Sequence, residues 1–140
     1  MSSKGRGWSE SDFTQWMCKK LERVNAKTVA FVGSKMQGTG IPDRYICHRH
    51  LGGGLWAEMK KDDRRVSDPQ RRFLNGVFER GDTALVIRYR ADQTVKVEHF
   101  DGTELGWHDL RPVVIMDDPT AGCYIVNMLI DAKMRQEKLR

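Results

Sequence analysis

Leu55-Trp56-Ala57-Glu58-Met59-Lys60 is the stretch on which the reading of this chain turns. It is apolar apart from one acid and one amine, with glycines before it (Gly52-Gly53-Gly54) and the charged run Lys61-Asp62-Asp63-Arg64-Arg65 after it. That pattern predicts a short, largely buried strand. Side chains alternate along a strand, so Glu58 and Lys60 share a face with Trp56, while Leu55, Ala57 and Met59 form the other. An exposed cross-strand ion pair would be worth well under ~1 kcal/mol and need no function. The apolar neighbours argue against exposure, and a buried carboxylate and amine need partners.

Working outward, Arg44-Tyr45-Ile46-Cys47 predicts the preceding strand, and Pro42-Asp43 stands at its start. By itself Asp43 reads as a turn residue after proline. Beside Glu58 it becomes a second carboxylate in one place. Two carboxylates with open coordination positions suit a hard cation, Mg²⁺ or Mn²⁺, better than zinc. Such a site permits phosphodiester hydrolysis, with Lys60 offsetting charge that develops on the phosphoryl group.

Before this pair, Ser9 and Asp12 form a capping signature. Phe13, Trp16, Met17, Leu21 and Val24 recur at helical spacing over roughly residues 10–24. Thr28-Val29-Ala30-Phe31-Val32 predicts a strand, and the glycine-rich loop Gly33 to Gly40 follows, with Lys35 near its centre. After the pair, Ser67 and Asp68 precede Pro69, which suits the first turn of a helix. Phe73, Leu74, Val77 and Phe78 give it an apolar face, and Gly81 ends it. Thr83 to Tyr89 predicts a buried strand, paired with Val95 and Val97 as a hairpin across Ala91-Asp92-Gln93. Asp101-Gly102 marks a further turn. A closing helix from about Pro119 carries Ile125, Met128, Leu129 and Ala132 on one face. That face is either packed on the sheet of its own chain or the interface of a dimer. The predicted order is α-β-β-β-α-β, then a hairpin and a terminal helix.

At 140 residues the chain fits one domain, and 39% apolar with 31% charged residues is ordinary for a globular protein. No apolar run is long enough to span a membrane, and the first residues lack an apolar signal core. A cytoplasmic protein with no membrane partner is expected. Cys18, Cys47 and Cys123 are scattered and read as reduced thiols. Cys47, His48 and His50 lack a fourth zinc ligand and read as a solvated turn. Trp8, Trp16, Trp56 and Trp107 are assigned to the core. The net charge of +5 suits a polyanionic ligand. Lys35, Lys61, Arg64, Arg65, Arg71 and Arg72 are the candidate phosphate contacts, although Asp62, Asp63 and Asp68 dilute that patch.

Gly40-Ile41-Pro42-Asp43, Glu58-Met59-Lys60 and Ser67-Asp68-Pro69-Gln70, with Phe73 and Gly81, occur in that order. Together they resemble the VRR-NUC branch of the PD-(D/E)xK nucleases. Glu10 with Phe13, Trp16 and Met17 fits that family's first-helix pattern, so the resemblance covers about residues 9–90. It implies an α/β, restriction-endonuclease-like core: a mixed central sheet flanked by helices, with a C-terminal hairpin and helix. It implies Mg²⁺ or Mn²⁺ dependence and structure-selective cleavage of branched, junction or nicked DNA. Compact members resemble Holliday-junction resolvases, act as homodimers and are common in phages. By the same resemblance Asp43 and Glu58 are metal ligands with the Met59 carbonyl as a third, and Lys60 is the catalytic lysine. Gln70 lies near the metal site, and Glu10 helps to bind metal. Residues 91–140 match nothing in that pattern. Two other readings stay open: a nucleic-acid-binding module that has kept the fold without cutting, and a restriction-type enzyme reading a short duplex sequence.

Overall fold

The computed structural model describes residues 7–30, 42–100, 107–109, 113–114 and 120–139, with backbone alone at 100, 107–109 and 113–114. Lys35, the loop from Gly33 to Gly40 and the Asp101-Gly102 turn lie outside the described residues.

Helix α1 (Glu10–Arg23) opens on Ser9. The Ser9 hydroxyl accepts the Asp12 N–H at 3.1 Å and the Asp12 carboxylate accepts the Ser9 N–H at 3.0 Å. Two donors that the helix cannot satisfy internally are thereby paired. Strands β1 (Lys27–Ala30) and β2 (Arg44–His48) follow, then a 3-10 turn (Arg49–Leu51) and β3 (Gly53–Lys61). Helix α2 (Asp68–Glu79) leads to β4 (Thr83–Tyr89), β5 (Thr94–Phe100), β6 (Trp107–Asp109), β7 (Val113–Val114) and α3 (Thr120–Lys138).

The strands form one sheet in the order β1-β2-β3-β4-β5-β6, with β7 also paired to β5. Every pairing is antiparallel except β3 with β4, whose register runs from Leu55↔Thr83 to Lys61↔Tyr89. A parallel pair needs a crossover, and α2 supplies it. This is the mixed sheet and α-β-β-β-α-β order expected of a restriction-endonuclease-like core. Strands β6 and β7 are additions that the sequence did not announce.

The two sheet faces bury different helices. Phe13, Met17 and Leu21 of α1 and Ile125, Leu129 and Ala132 of α3 share one core with Leu55, Ala57, Met59, Leu85, Ile87 and Val97. On the opposite face Leu74 of α2 packs on Ala84 and Val86, edged by Trp56, Val66 and Val77. Met59 thus lies in one layer and Glu58 and Lys60 face the other, as alternation requires. The Ile125-Met128-Leu129 face is buried against its own sheet, which removes it as a dimer surface. Helices α1 and α3 approach closely at Gly122, where a Cβ would stand 2.3 Å from the Lys20 carbonyl oxygen. Near the end of α3, Gln136 donates to the Ala84 carbonyl and accepts its N–H, both at 2.9 Å. No described helix is long and apolar enough to cross a membrane.

Candidate active site

The site exists because β2 is shorter than β3. Their register ends at Arg44↔Ala57, so β3 runs past its neighbour and leaves an unpaired edge from Glu58 onwards. Backbone groups on such an edge need partners. Two carboxylates supply them. Asp43 Oδ2 accepts the Met59 N–H at 2.8 Å, and Glu10 Oε2 accepts the Lys61 N–H at 3.1 Å. In an antiparallel ladder the N–H and C=O of one residue point the same way, so the Met59 carbonyl faces this edge too. Extending the register by one pair sets Asp43 opposite Glu58, on the face of Trp56 and Lys60.

Helix α2 approaches from that face. Its N-cap, Ser67, accepts the Gln70 N–H at 3.3 Å, while the Gln70 side-chain oxygen accepts the Ser67 N–H at 2.9 Å. This capping box fixes which end of the amide faces outward. The Gln70 Nε2 is left to donate to Glu58 Oε1 at 3.1 Å. Glu58 and Lys60 are 3% and 8% exposed, so both side chains are withdrawn from bulk water.

Among the described residues Glu58 Oε2 has no hydrogen-bond donor. The carboxyl is pushed up to about 9, first by burial, then by hydrogen bonding with Asp43 and by the negative charge of Asp43. Lys60 pulls in the opposite direction, and Glu10 adds a smaller upward push. A carboxyl buried beside a second one, as Glu58 is, holds its proton until a metal ion displaces it. The same crowding, with one oxygen lacking a donor, is a donor set that a hard divalent cation satisfies. Among the described residues no three carboxylate, imidazole or thiolate groups gather as a metal cage. Two carboxylates and a backbone carbonyl suit an ion that keeps several waters, as Mg²⁺ does.

Glu10 reaches the site's edge without joining the carboxyl pair. Its Oε2 also faces Arg64 Nη1 at 3.5 Å. Glu10, Ser11, Thr14, Gln15, Asp43 and Arg44 line a cleft of about 360 Å³ beside the pair. The candidate phosphate contacts are partly neutralised: Arg65 and Arg71 share the Asp68 carboxylate at 3.1 and 3.2 Å. Both ring nitrogens of His48 are engaged, one with the Val24 carbonyl at 2.9 Å and one accepting the His50 N–H at 3.1 Å. A zinc role for this turn is accordingly not supported.

Sequence reasoning missed Arg88 and Glu98. Arg88 faces Lys60 across the β3–β4 ladder and is gripped by Glu98 at 3.0 and 3.3 Å. Its Nη1 donates to the carbonyls of Asp62 at 2.6 Å and Arg64 at 2.7 Å. This clasp shapes the turn that leaves Lys60. The available signal was a cation inside the apolar run Leu85-Val86-Ile87-Arg88-Tyr89.

No family model matches the chain. No curated protein matches it either. Among solved structures, it is similar to Hjc of Archaeoglobus fulgidus, a Holliday junction resolvase from an archaeal hyperthermophile. That match has a TM-score of 0.49 at 14% identity and covers 74% of this chain and 92% of the other.

Proposed function

We propose that this chain is a divalent-metal-dependent endonuclease that hydrolyses DNA phosphodiester bonds, acting on branched, junction or nicked DNA. The observation that supports this best is the carboxyl pair of half-buried Asp43 and buried Glu58, one Glu58 oxygen without a donor, on the same strand face as buried Lys60. Burying Glu58 and Lys60 is a poor source of stability, since apolar side chains in place of a buried ion pair are often as stable or more so.

Asp43 and Glu58 would hold Mg²⁺ or Mn²⁺, with the Met59 carbonyl on the same edge. An ion bound there supplies Lewis-acid polarisation of the phosphoryl oxygens and a water acidic enough to ionise near neutral pH. The remaining work falls to the chain itself. Asp43 ties its carboxylate to the Met59 N–H, fixing its position against β3. Gln70 orients Glu58 from the helix side. Lys60, nearly buried, keeps a cation where negative charge grows on the phosphate in the transition state. Glu10 anchors the exit of β3 through Lys61 and Arg64.

The preference for branched or nicked DNA rests on the motif resemblance to the VRR-NUC nucleases. A symmetric junction has two scissile strands related by a twofold, so a homodimer is the matching assembly. Its interface lies on a surface other than the inner face of α3. A cytoplasmic location is part of the same proposal.

The test is a Mn²⁺ titration of the metal-free protein followed by electron paramagnetic resonance, with digestion of a panel of branched, flapped, nicked and linear DNAs. The expected result is stoichiometric Mn²⁺ binding, lost in Asp43→Asn and Glu58→Gln, and cleavage of the branched or nicked members. Binding of DNA without products, in either metal, would overturn the proposal.

A further inference from the structure

Among the described residues, the face that carries Glu58 and Lys60 is only half covered. Among the described residues α2 packs on β4 and β5, on one side of the catalytic strand. On the other side, cross-strand partners share this face: Val29↔Tyr45↔Trp56 in one row and Lys27↔Cys47↔Gly54 in the next. Lys27 is exposed, Val29 is 38% exposed, and Tyr45 and Trp56 are half-buried. Among the described residues an uncovered sheet face therefore begins two residues from Glu58, about 6.6 Å along the strand at ~3.3 Å per residue.

Its chemistry is specific. Tyr45 meets Trp56 edge-on with ring centroids 5.0 Å apart, and Trp56 meets Phe73 of α2 in the same manner at 5.3 Å. The Tyr45 ring lies down on Gly54, where a Cβ would come within 2.3 Å of it. Beyond Tyr45 runs a groove of about 490 Å³, lined by Lys27, Arg49 and the Gly52–Gly54 backbone. Two cations and no carboxylate line this groove. Aromatic rings next to cations form the pattern that binds single-stranded nucleic acid, and Asp82 steadies one of these rings by accepting the Trp56 indole N–H at 3.2 Å.

We propose that this open half-sheet is the track for an unpaired DNA strand leaving the cleavage site, its bases stacked by Tyr45 and Trp56 and its phosphates met by Lys27 and Arg49. The inference rests on the nuclease reading of the Asp43–Glu58 site and deepens it. Such a track favours substrates with an unpaired arm or frayed end at the scissile phosphate, because a base inside a duplex has both faces covered by its stacked neighbours.

The experiment is equilibrium binding by fluorescence anisotropy in metal-free, low-salt buffer, where nothing is cut. The probes are a labelled oligothymidylate of roughly ten nucleotides and an abasic deoxyribose-phosphate oligomer of the same length. The wild type should bind the oligothymidylate at least about tenfold tighter than the abasic oligomer, the loss expected for even one missing base stack. Tyr45→Leu should lower oligothymidylate affinity about tenfold, while Tyr45→Phe stays within about twofold. Gly54→Ala should weaken it as well, since the added methyl displaces the Tyr45 ring. Lys27→Gln, an exposed substitution with little bearing on folding, should flatten the salt dependence by about one ion. Equal binding of the two oligomers, or full affinity in Tyr45→Leu, would overturn the track. Cleavage of nicked duplex by the wild type separates the two ideas. A chain that cuts yet ignores the oligothymidylate loses only the track, and one that binds it as described yet never cuts loses the nuclease reading.

Discussion

Gln70 donates to Glu58 across 3.1 Å while its own oxygen is occupied by the first N–H of the α2 cap. One side chain therefore both starts a helix and aims a buried carboxyl. Gln70→Glu separates these roles. The cap survives, because a carboxylate accepts the Ser67 N–H equally well. The face toward Glu58 changes from donor to acceptor. Cleavage rate or metal affinity should fall about 10–100-fold, in the range typical of groups that orient metal ligands. Circular dichroism should show α2 intact.

The metal-free protein should lose stability as pH rises. Glu58 is neutral in the folded chain up to about 9, whereas an unfolded glutamate ionises near ~4.3. Between those values the folded state holds the extra proton, so unfolding becomes easier with each step up in pH. The contribution is complete below the lower value and gone above the upper one. The melting temperature of the wild type, measured against Glu58→Gln, should decline across that window. Saturating Mn²⁺ should abolish the decline, since metal favours the ionised carboxyls.

The clasp around Arg88 should matter more than the exposed pairs near it. Arg88 and Glu98 are 8% and 13% exposed, so Arg88→Met strands a buried carboxylate and two carbonyls. Urea unfolding should show a loss of about 3–5 kcal/mol. Arg64→Ala breaks a pair whose arginine is 65% exposed, and should change stability by less than ~1 kcal/mol.

Gly122→Ala should cost about 1–3 kcal/mol, because the methyl meets the Lys20 backbone and α1 and α3 must part. Thermal unfolding reads this directly. Cys123→Ala, at an exposed neighbouring position, is the control that should show little change.

Much of this was legible because the strand pattern was unambiguous. Alternation in Leu55 to Lys60 fixed which face each side chain takes, and the capping residues Ser9 and Ser67 fixed where α1 and α2 begin. The convergence of Asp43 and Glu58 needed one further fact, that β2 stops one pair short of them, and composition carries no trace of that. Arg88 was hidden because its partners, Glu98 and two backbone carbonyls, come from three separate segments. The inner face of α3 could have been core or interface, since both demand the same apolar stripe; only the tertiary packing decides. Trp56 was assigned to the core, and it packs half-buried against the Leu74-Ala84-Val86 cluster while its other neighbour is Tyr45.

The most direct measurement is product formation from nicked and branched DNA with Mn²⁺, comparing the wild type with Lys60→Met at matched metal occupancy. The account predicts discrete cleavage products from the wild type, none with chelator, and a rate at least about a hundredfold lower without the lysine. Equal cleavage by both proteins, or none by either, would contradict it.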